Sequence, residues 1–199
     1  KYYYSSYSTP VSVLTAPKTP TFKLTRNGYD SVKITVSKVS GAAGYNIYRA
    51  TSKKGTYTKI TTLSKAGTYV DTKRTTGKTY YYKVKAYNSK SSYSTLSNYK
   101  YIKVIPSTPS ITLSNMISKQ VSISWKSING TTGYQIYRAT SKSGKYSKVA
   151  TLSSKYEPIC TDKTVKKGKR YYYKVRAYVK KGSTYTYSNY STVKSLVVK

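Results

Sequence analysis

Apolar and polar residues alternate with a period of two in short runs that turn residues set apart. Val32, Ile34 and Val36 share one face of such a run, as do Val121, Ile123 and Trp125. Tyr45 and Ile47 repeat the arrangement, and Tyr134 and Ile136 match them further on. The most regular run places Tyr80, Tyr82, Val84 and Ala86 on one side and Tyr81, Lys83, Lys85 and Tyr87 on the other. Successive strand side chains point to opposite faces, so this pattern predicts strands with one buried and one wet face. Ser52 to Gly55 and Ser141 to Gly144 read as hairpin turns, and the segments at Gly77 and Gly168 as corners. About seven short strands per ninety residues is the density of a β-sandwich rather than of a barrel or a βαβ fold.

The pattern also repeats. GYNIYRATSKKGTYTKITTL from Gly44 returns 89 positions later as GYQIYRATSKSGKYSKVATL from Gly133, with 14 of 20 residues identical. The same offset pairs TPTFKL at Thr19 with TPSITL at Thr108, and VKITVSK at Val32 with VSISWKS at Val121. Beyond a loop that gains two residues the offset is 91, pairing GKTYYYKVKAY at Gly77 with GKRYYYKVRAY at Gly168 and SNY at Ser97 with SNY at Ser188. Self-similarity on this scale predicts two modules, residues 17–105 and 106–199. The opening KYYYSSYSTPVSVL aligns with TYTYSNYSTVKSLV from Thr184, so residues 1–16 read as the terminal strand of a preceding repeat and a linker. TAPKTP from Thr15 and PSTP from Pro106 are short and carry proline, which stiffens a junction and predicts a semi-rigid rod.

Composition supports the strands. The 27 Tyr supply broad rings that can fill a core while the hydroxyl stays at its wet edge, and Tyr, Val, Ile and Thr favour strands. No apolar run approaches the roughly 20 residues that a membrane-spanning helix needs, so no membrane span is expected. Cys160 stands alone and therefore forms no disulfide within the chain; it reads as a small side chain in a half-buried strand.

Charge narrows the function. The chain holds 37 Lys or Arg, four Asp or Glu and no His, a net charge of +33. Most cations must therefore face solvent, counterions or a polyanion. The commonest general base and metal ligand is missing. The carboxylates Asp30, Asp71, Glu157 and Asp162 form no recognisable catalytic pair, since Asp71 and Asp162 occupy equivalent places in different modules. No phosphate loop, nucleophile elbow or calcium loop is present. No catalytic residue, metal ligand or cofactor is expected, and the chain reads as no enzyme in its own right, though it could be an accessory part of a larger one.

An apolar strand ending in Trp125, then GYQIYR, then Gly168 three residues before Tyr171 in YYYKVRAY, resembles a fibronectin type III domain. The resemblance covers nearly all of residues 17–199, and the wording YRATSKSGKYSKV is similar to such repeats in secreted and wall-associated proteins of Gram-positive bacteria. It implies two tandem immunoglobulin-like antiparallel β-sandwiches, an all-β fold, plus an N-terminal strand without a partner. It also implies that Tyr80 and Tyr171 are tyrosine-corner residues whose hydroxyls bond nearby backbone. Val36, where Trp125 stands in the second module, departs from the pattern.

The outward face of the strongest strand remains as the candidate site. It comprises Tyr81, Lys83, Lys85 and Tyr87 in the first module and Tyr172, Lys174, Arg176 and Tyr178 in the second, with Tyr48 and Tyr137 beside them by fold analogy. Aromatic faces interleaved with cations can hold sugar rings, bases or anionic polymers; a solvated face kept soluble by lysine has the same composition. The leading reading is a non-catalytic spacer or binding module of a larger bacterial protein, extracellular, secreted or wall-associated, with an anionic cell-wall polymer or glycan as partner. A stalk or filament subunit that pairs with neighbouring copies through residues 1–14 is the structural alternative. A nucleic-acid binder without sequence specificity is the third.

Overall fold

A computed structural model describes residues 1–9, 15–117 and 119–199, and these contain strands and no helix. The first repeat holds β1 (Phe22–Arg26), β2 (Val32–Val36), β3 (Gly44–Ala50), β4 (Thr58–Leu63), β5 (Gly67–Asp71), β6 (Thr79–Tyr87) and β7 (Lys100–Lys103). The second holds β8 (Ile111–Met116), β9 (Gln120–Trp125), β10 (Gly133–Ala139), β11 (Ser147–Ser153), β12 (Ile159–Asp162), β13 (Arg170–Lys181), β14 (Thr184–Tyr187) and β15 (Lys194–Val197). Each repeat forms a three-stranded sheet, β1-β2-β5 or β8-β9-β12, and a larger one, β4-β3-β6-β7 or β11-β10-β13 with β13 paired to both β14 and β15. By compactness the chain divides into residues 1–23, 35–69 and 81–100 against 24–34, 70–80 and 101–199, a cut that runs through strands of the first repeat.

The period-two reading holds along β6, where Tyr80, Tyr82, Val84 and Ala86 are buried and their neighbours half-buried. In the second repeat Ile123, Trp125, Tyr134, Ile136, Tyr173 and Val175 belong to one core cluster. Trp125 is 6% exposed and packs on Tyr134 with centroids 5.0 Å apart; its indole Nε1 donates to nothing. Val36 takes the equivalent place in β2 and is buried there.

Tyrosine can serve as core where its hydroxyl reaches a partner. Tyr45 accepts from the Val39 N–H and Tyr134 from the Ile128 N–H, both at 2.8 Å. Tyr80 accepts from the Thr75 N–H at 3.0 Å and Tyr171 from the Lys166 N–H at 3.2 Å, which are the two tyrosine corners. Gly77 and Gly168 turn the chain into those strands with φ of 93° and 76°, a backbone setting that glycine adopts without a Cβ penalty.

The end of the repeats differs from the sequence alignment. The Ser94 N–H donates to the Ala86 carbonyl and the Ser188 N–H to the Ala177 carbonyl, so Ser94, not Ser97, is the counterpart of Ser188. The offset is 94 there instead of 91, because β13 runs on to Lys181 and returns through Gly182 as β14, adding three residues. In the first repeat a single bridge, Tyr87 to Tyr93, stands where β14 is.

That register reveals a clip. Ser188 and Ser191 each donate their N–H to a β13 carbonyl and accept, through Oγ, the N–H of the same residue, Ala177 at 2.9 Å and Val175 at 3.0 Å. Ser94 and Ser97 do the same to Ala86 at 3.0 Å and Val84 at 2.9 Å on β6. A buried strand edge must satisfy its N–H groups, and here hydroxyls stand in for the carbonyls of a neighbouring strand. The hydroxyl proton goes to the next carbonyl in the chain, as from Ser188 to Asn189 at 2.7 Å.

Candidate functional site

In the second repeat, antiparallel pairing of β10 with β13 sets Gln135 opposite Arg176, Tyr137 opposite Lys174 and Ala139 opposite Tyr172. Arg176 donates from Nε and Nη2 to Gln135 Oε1 at 3.0 and 2.8 Å, and from Nη2 to the Tyr137 hydroxyl at 2.9 Å. Tyr137 itself donates to Gln135 Oε1 at 2.9 Å. The guanidinium lies 3.7 Å over the Tyr187 ring and 5.0 Å from the Tyr190 ring centre. Two residue pairs along, the Lys174 ammonium sits between two rings, 4.2 Å from Tyr146 and 4.3 Å from Tyr190. Tyr146 is pinned by donating to the Lys142 carbonyl at 3.0 Å, and Tyr190 meets Tyr137 edge-on at 5.3 Å. The result is a ladder of alternating rings and cations held by neutral partners.

Ring faces are negative and attract cations without cancelling their charge. Burial, followed by the hydrogen bond with Tyr137, pushes the Tyr190 hydroxyl above its ordinary pKa against the opposing pull of Arg176, so Tyr190 stays neutral at physiological pH.

The first repeat carries a looser version. Lys83 lies 4.7 Å from Tyr57 and Lys85 lies 4.8 Å from Tyr93, while Lys53 lies 5.3 Å from Tyr99. Tyr48 pairs across the sheet with Lys83, and Tyr81 packs on Tyr99 at 5.8 Å. Lys85 stands where Arg176 does, Asn46 where Gln135 does, and Leu96 where Tyr190 does, so no forked donor joins the parts.

Two sequence-selected residues have a different job. Tyr178 is only 8% exposed, beneath Tyr185 and Tyr187 at 5.4 and 6.3 Å. Its hydroxyl would lie 2.7 Å from a Cβ built on Gly133, and the Tyr87 ring covers Gly44 in the same way. These tyrosines roof the glycines that open β10 and β3. Tyr172 is half-buried on the same face, beside Tyr146. Gln135, Tyr146, Tyr187 and Tyr190 belong to the ladder although period-two reasoning on one strand did not select them. The signal that reaches two of them is the pattern Tyr-Ser-x-x-Ser, present at Tyr93 and at Tyr187.

Two of the four acids are occupied elsewhere. Asp162 accepts from Arg138 Nη1 at 2.7 Å, from the Tyr173 hydroxyl at 2.9 Å and from the Thr164 N–H at 3.0 Å; Asp71 pairs with Arg74 at 3.3 Å. Among the described residues no three His, Cys, Asp or Glu side chains gather as a metal site would require, and no helix is long and apolar enough to cross a membrane.

No family model matches the chain. Its sequence is similar to segments of amylopullulanases, 38% identical over 73 residues in Thermoanaerobacterium saccharolyticum and 41% over 85 residues in Thermoanaerobacter thermohydrosulfuricus. Those alignments take in 37% and 43% of this chain but 6% of each relative, so the match is to a small part of a much larger protein. Similar solved structures include a two-domain fibronectin type III segment of chicken tenascin (TM-score 0.49, 13% identity, 92% of this chain and 99% of that one). The FN1-FN3 domains of chicken CNTN1 are another (TM-score 0.41, 19% identity, 92% and 68%). Strand order, sheet composition and the paired tyrosine corners make this chain a tandem of fibronectin type III-like β-sandwiches.

Proposed function

We propose that the two repeats are non-catalytic modules of a larger secreted or wall-associated protein, and that the faces built on β3 with β6 and β10 with β13 hold an anionic cell-wall polymer or an acidic glycan. One observation carries this reading. On both faces the cations rest on tyrosine rings, so their charge is anchored yet available: Lys83 and Lys85 in the first repeat, Lys174 and Arg176 in the second. With 37 cations against four carboxylates, the surrounding field draws in polyanions from a distance. The match to 6% of two amylopullulanases supports an accessory place within a longer chain.

Anionic wall polymer, heparin and duplex DNA are to be titrated at several salt concentrations, first with the protein and then with Lys83, Lys85, Lys174 and Arg176 replaced by Ser. Each phosphate engaged on a duplex contributes about −0.9 to the slope of log affinity against log salt. The expected result is steep salt dependence for all three polymers and a shallower slope for the variant. Affinity for a neutral glycan that survives high salt, with none for the polyanions, would overturn the proposal in favour of ring stacking by the tyrosines.

A further inference from the structure

The second repeat has the β13–β14 hairpin where the first has the single bridge Tyr87 to Tyr93. Its register sets Tyr187 opposite Tyr178 and Tyr185 opposite Lys180, which brings two tyrosines of β14 onto the outward face of β13. Their rings are within 11° of parallel, with centroids 5.8 Å apart. Tyr178 lies beneath them, whereas Tyr185 is 42% exposed and Tyr190, further along the chain, 38%. Cations border this strip of rings: Arg176 lies 3.7 Å over Tyr187, and Lys180 lies 5.4 Å from the centre of Tyr185. The two are four residues apart on β13, about 13 Å at the rise of a strand, so a polymer lying on the rings meets a cation at either end.

We infer, on the reading of this face as a polyanion site, that the hairpin makes the second repeat selective for an anionic glycan. A chain of pyranose rings lies along Tyr185, Tyr187 and Tyr190, and its acid groups meet Lys180, Arg176 and Lys174. The C–H face of a sugar ring is apolar and weakly positive while the face of an aromatic ring is negative, so the two stack. Stacking adds to the charge only for a polymer that carries rings; a polyphosphate chain meets the cations and finds nothing on the tyrosines. The first repeat offers no such distinction, since Leu96 stands in the place of Tyr190 and no strand matches β14 to carry a counterpart of Tyr185. Single-stranded nucleic acid also combines rings with charge. A base held between two aromatic rings needs about 7 Å, twice a contact distance, and Tyr185 and Tyr187 leave at most 5.8 Å. A glycan has only to lie along them.

Polygalacturonate, its methyl ester, inorganic polyphosphate and an oligo(dT) strand are to be titrated at the same salt concentration against the protein, Tyr185→Ala, Tyr185→Phe and, in the first repeat, Tyr93→Ala. Polygalacturonate should bind about tenfold more tightly than polyphosphate of equal charge, the scale of one stacked ring, and this margin should vanish in Tyr185→Ala and persist in Tyr185→Phe. Tyr93→Ala should move both polymers alike. The methyl ester, which keeps the rings and loses the charge, should bind at least about tenfold more weakly than the acid. Equal affinity for polygalacturonate and polyphosphate, or a margin that survives Tyr185→Ala, would overturn the selectivity and leave the charge reading standing. Oligo(dT) bound more tightly than polygalacturonate would assign the strip to nucleic acid, and a methyl ester bound as tightly as the acid would assign it to neutral glycans. Absence of binding to every polyanion would remove the reading on which the selectivity rests.

Discussion

Asp162 is the residue whose removal tests the packing of the second repeat most directly. Its carboxylate is buried, and it accepts four hydrogen bonds: from Arg138 Nη1 and the Tyr173 hydroxyl on Oδ2, and from the Thr164 N–H and Oγ1 on Oδ1. Burial alone would raise its pKa, but the bonds from Thr164, Arg138 and Tyr173 outweigh it and hold the carboxyl below its ordinary value of 3.8. Asp162→Asn keeps an acceptor for Thr164 and turns an NH2 toward Arg138, setting donor against donor. Removing one member of a buried ion pair costs about 3–5 kcal/mol. The Arg138 side chain is 23% exposed and also donates to Thr164 Oγ1 at 2.7 Å, so water and Thr164 take up part of the loss. A cost of about 2–3 kcal/mol remains, which for a module of this size lowers the midpoint by about 8–24 °C. Trp125 is the only tryptophan and sits in that core, so its fluorescence on heating reports this repeat alone. A group with a depressed folded pKa stabilises above its unfolded pKa and loses that contribution as pH falls through the folded one. The gap between the parent and Asp162→Asn should therefore be constant from neutral pH to about pH 5 and close as the pH drops below the ordinary carboxylate value. A shift under about 3 °C at pH 7 would refute the reasoning, as would a gap that widens in acid.

Three further outcomes follow from the same geometry. Gly133→Ala should destabilise the second repeat strongly, because the new Cβ would overlap the Leu152 carbonyl and lie 2.7 Å from the Tyr178 hydroxyl, whereas Gly67→Ala meets open space and should leave the midpoint of the first repeat within about 2 °C. Arg176→Lys keeps the charge but loses the fork that serves buried Gln135; thermal unfolding followed at Trp125 should fall by a few degrees, roughly 1 kcal/mol, with polymer affinity lowered less than by Arg176→Ser. Burial, then the nearby Asp162 charge, raises the Cys160 thiol above its ordinary pKa, so alkylation of the native protein at pH 8 should be slow and should accelerate on unfolding.

Much of the fold was legible because one face of each strand is buried and the period-two pattern then has a single solution. Tyr80, Tyr82, Val84 and Ala86 point inward as the alternation requires, and Trp125 is in the core. The register after β13 was not legible. SNY occurs at both Ser97 and Ser188, and identity there outweighed the weaker Tyr-Ser-x-x-Ser match that the hydrogen bonds follow. The site was half legible for a related reason. A strand pattern says which side chains leave the sheet and so selects Lys174 and Arg176 as outward residues, but it does not say which residues from a returning segment land on them. Tyr187 and Tyr190 come from that segment and Tyr146 from a hairpin loop. Tyr178 obeys the alternation and is still covered, since β14 folds its own tyrosines across it.

The abundance of tyrosine and the scarcity of acid are two sides of one arrangement. A chain with net charge +33 cannot pair its cations with four carboxylates, so most of them must find other local partners. Among the described residues nine cations lie between 3.7 and 5.6 Å from the centre of an aromatic ring. A carboxylate partner would neutralise a cation and erase its far field. A ring partner holds the same cation in place by its quadrupole, whose field falls off steeply, and leaves the net charge to act at a distance. Substituting a carboxylate for a ring, as in Tyr187→Glu, should therefore keep Arg176 anchored while uncovering Tyr178, and weaken polyanion binding by removing charge from the face. Tyr187→Phe, which keeps the ring and loses the hydroxyl, should leave polymer affinity at the parent's level. If both variants bound polyanions as the parent does, the ladder would be a fold-stabilising device with no part in recognition.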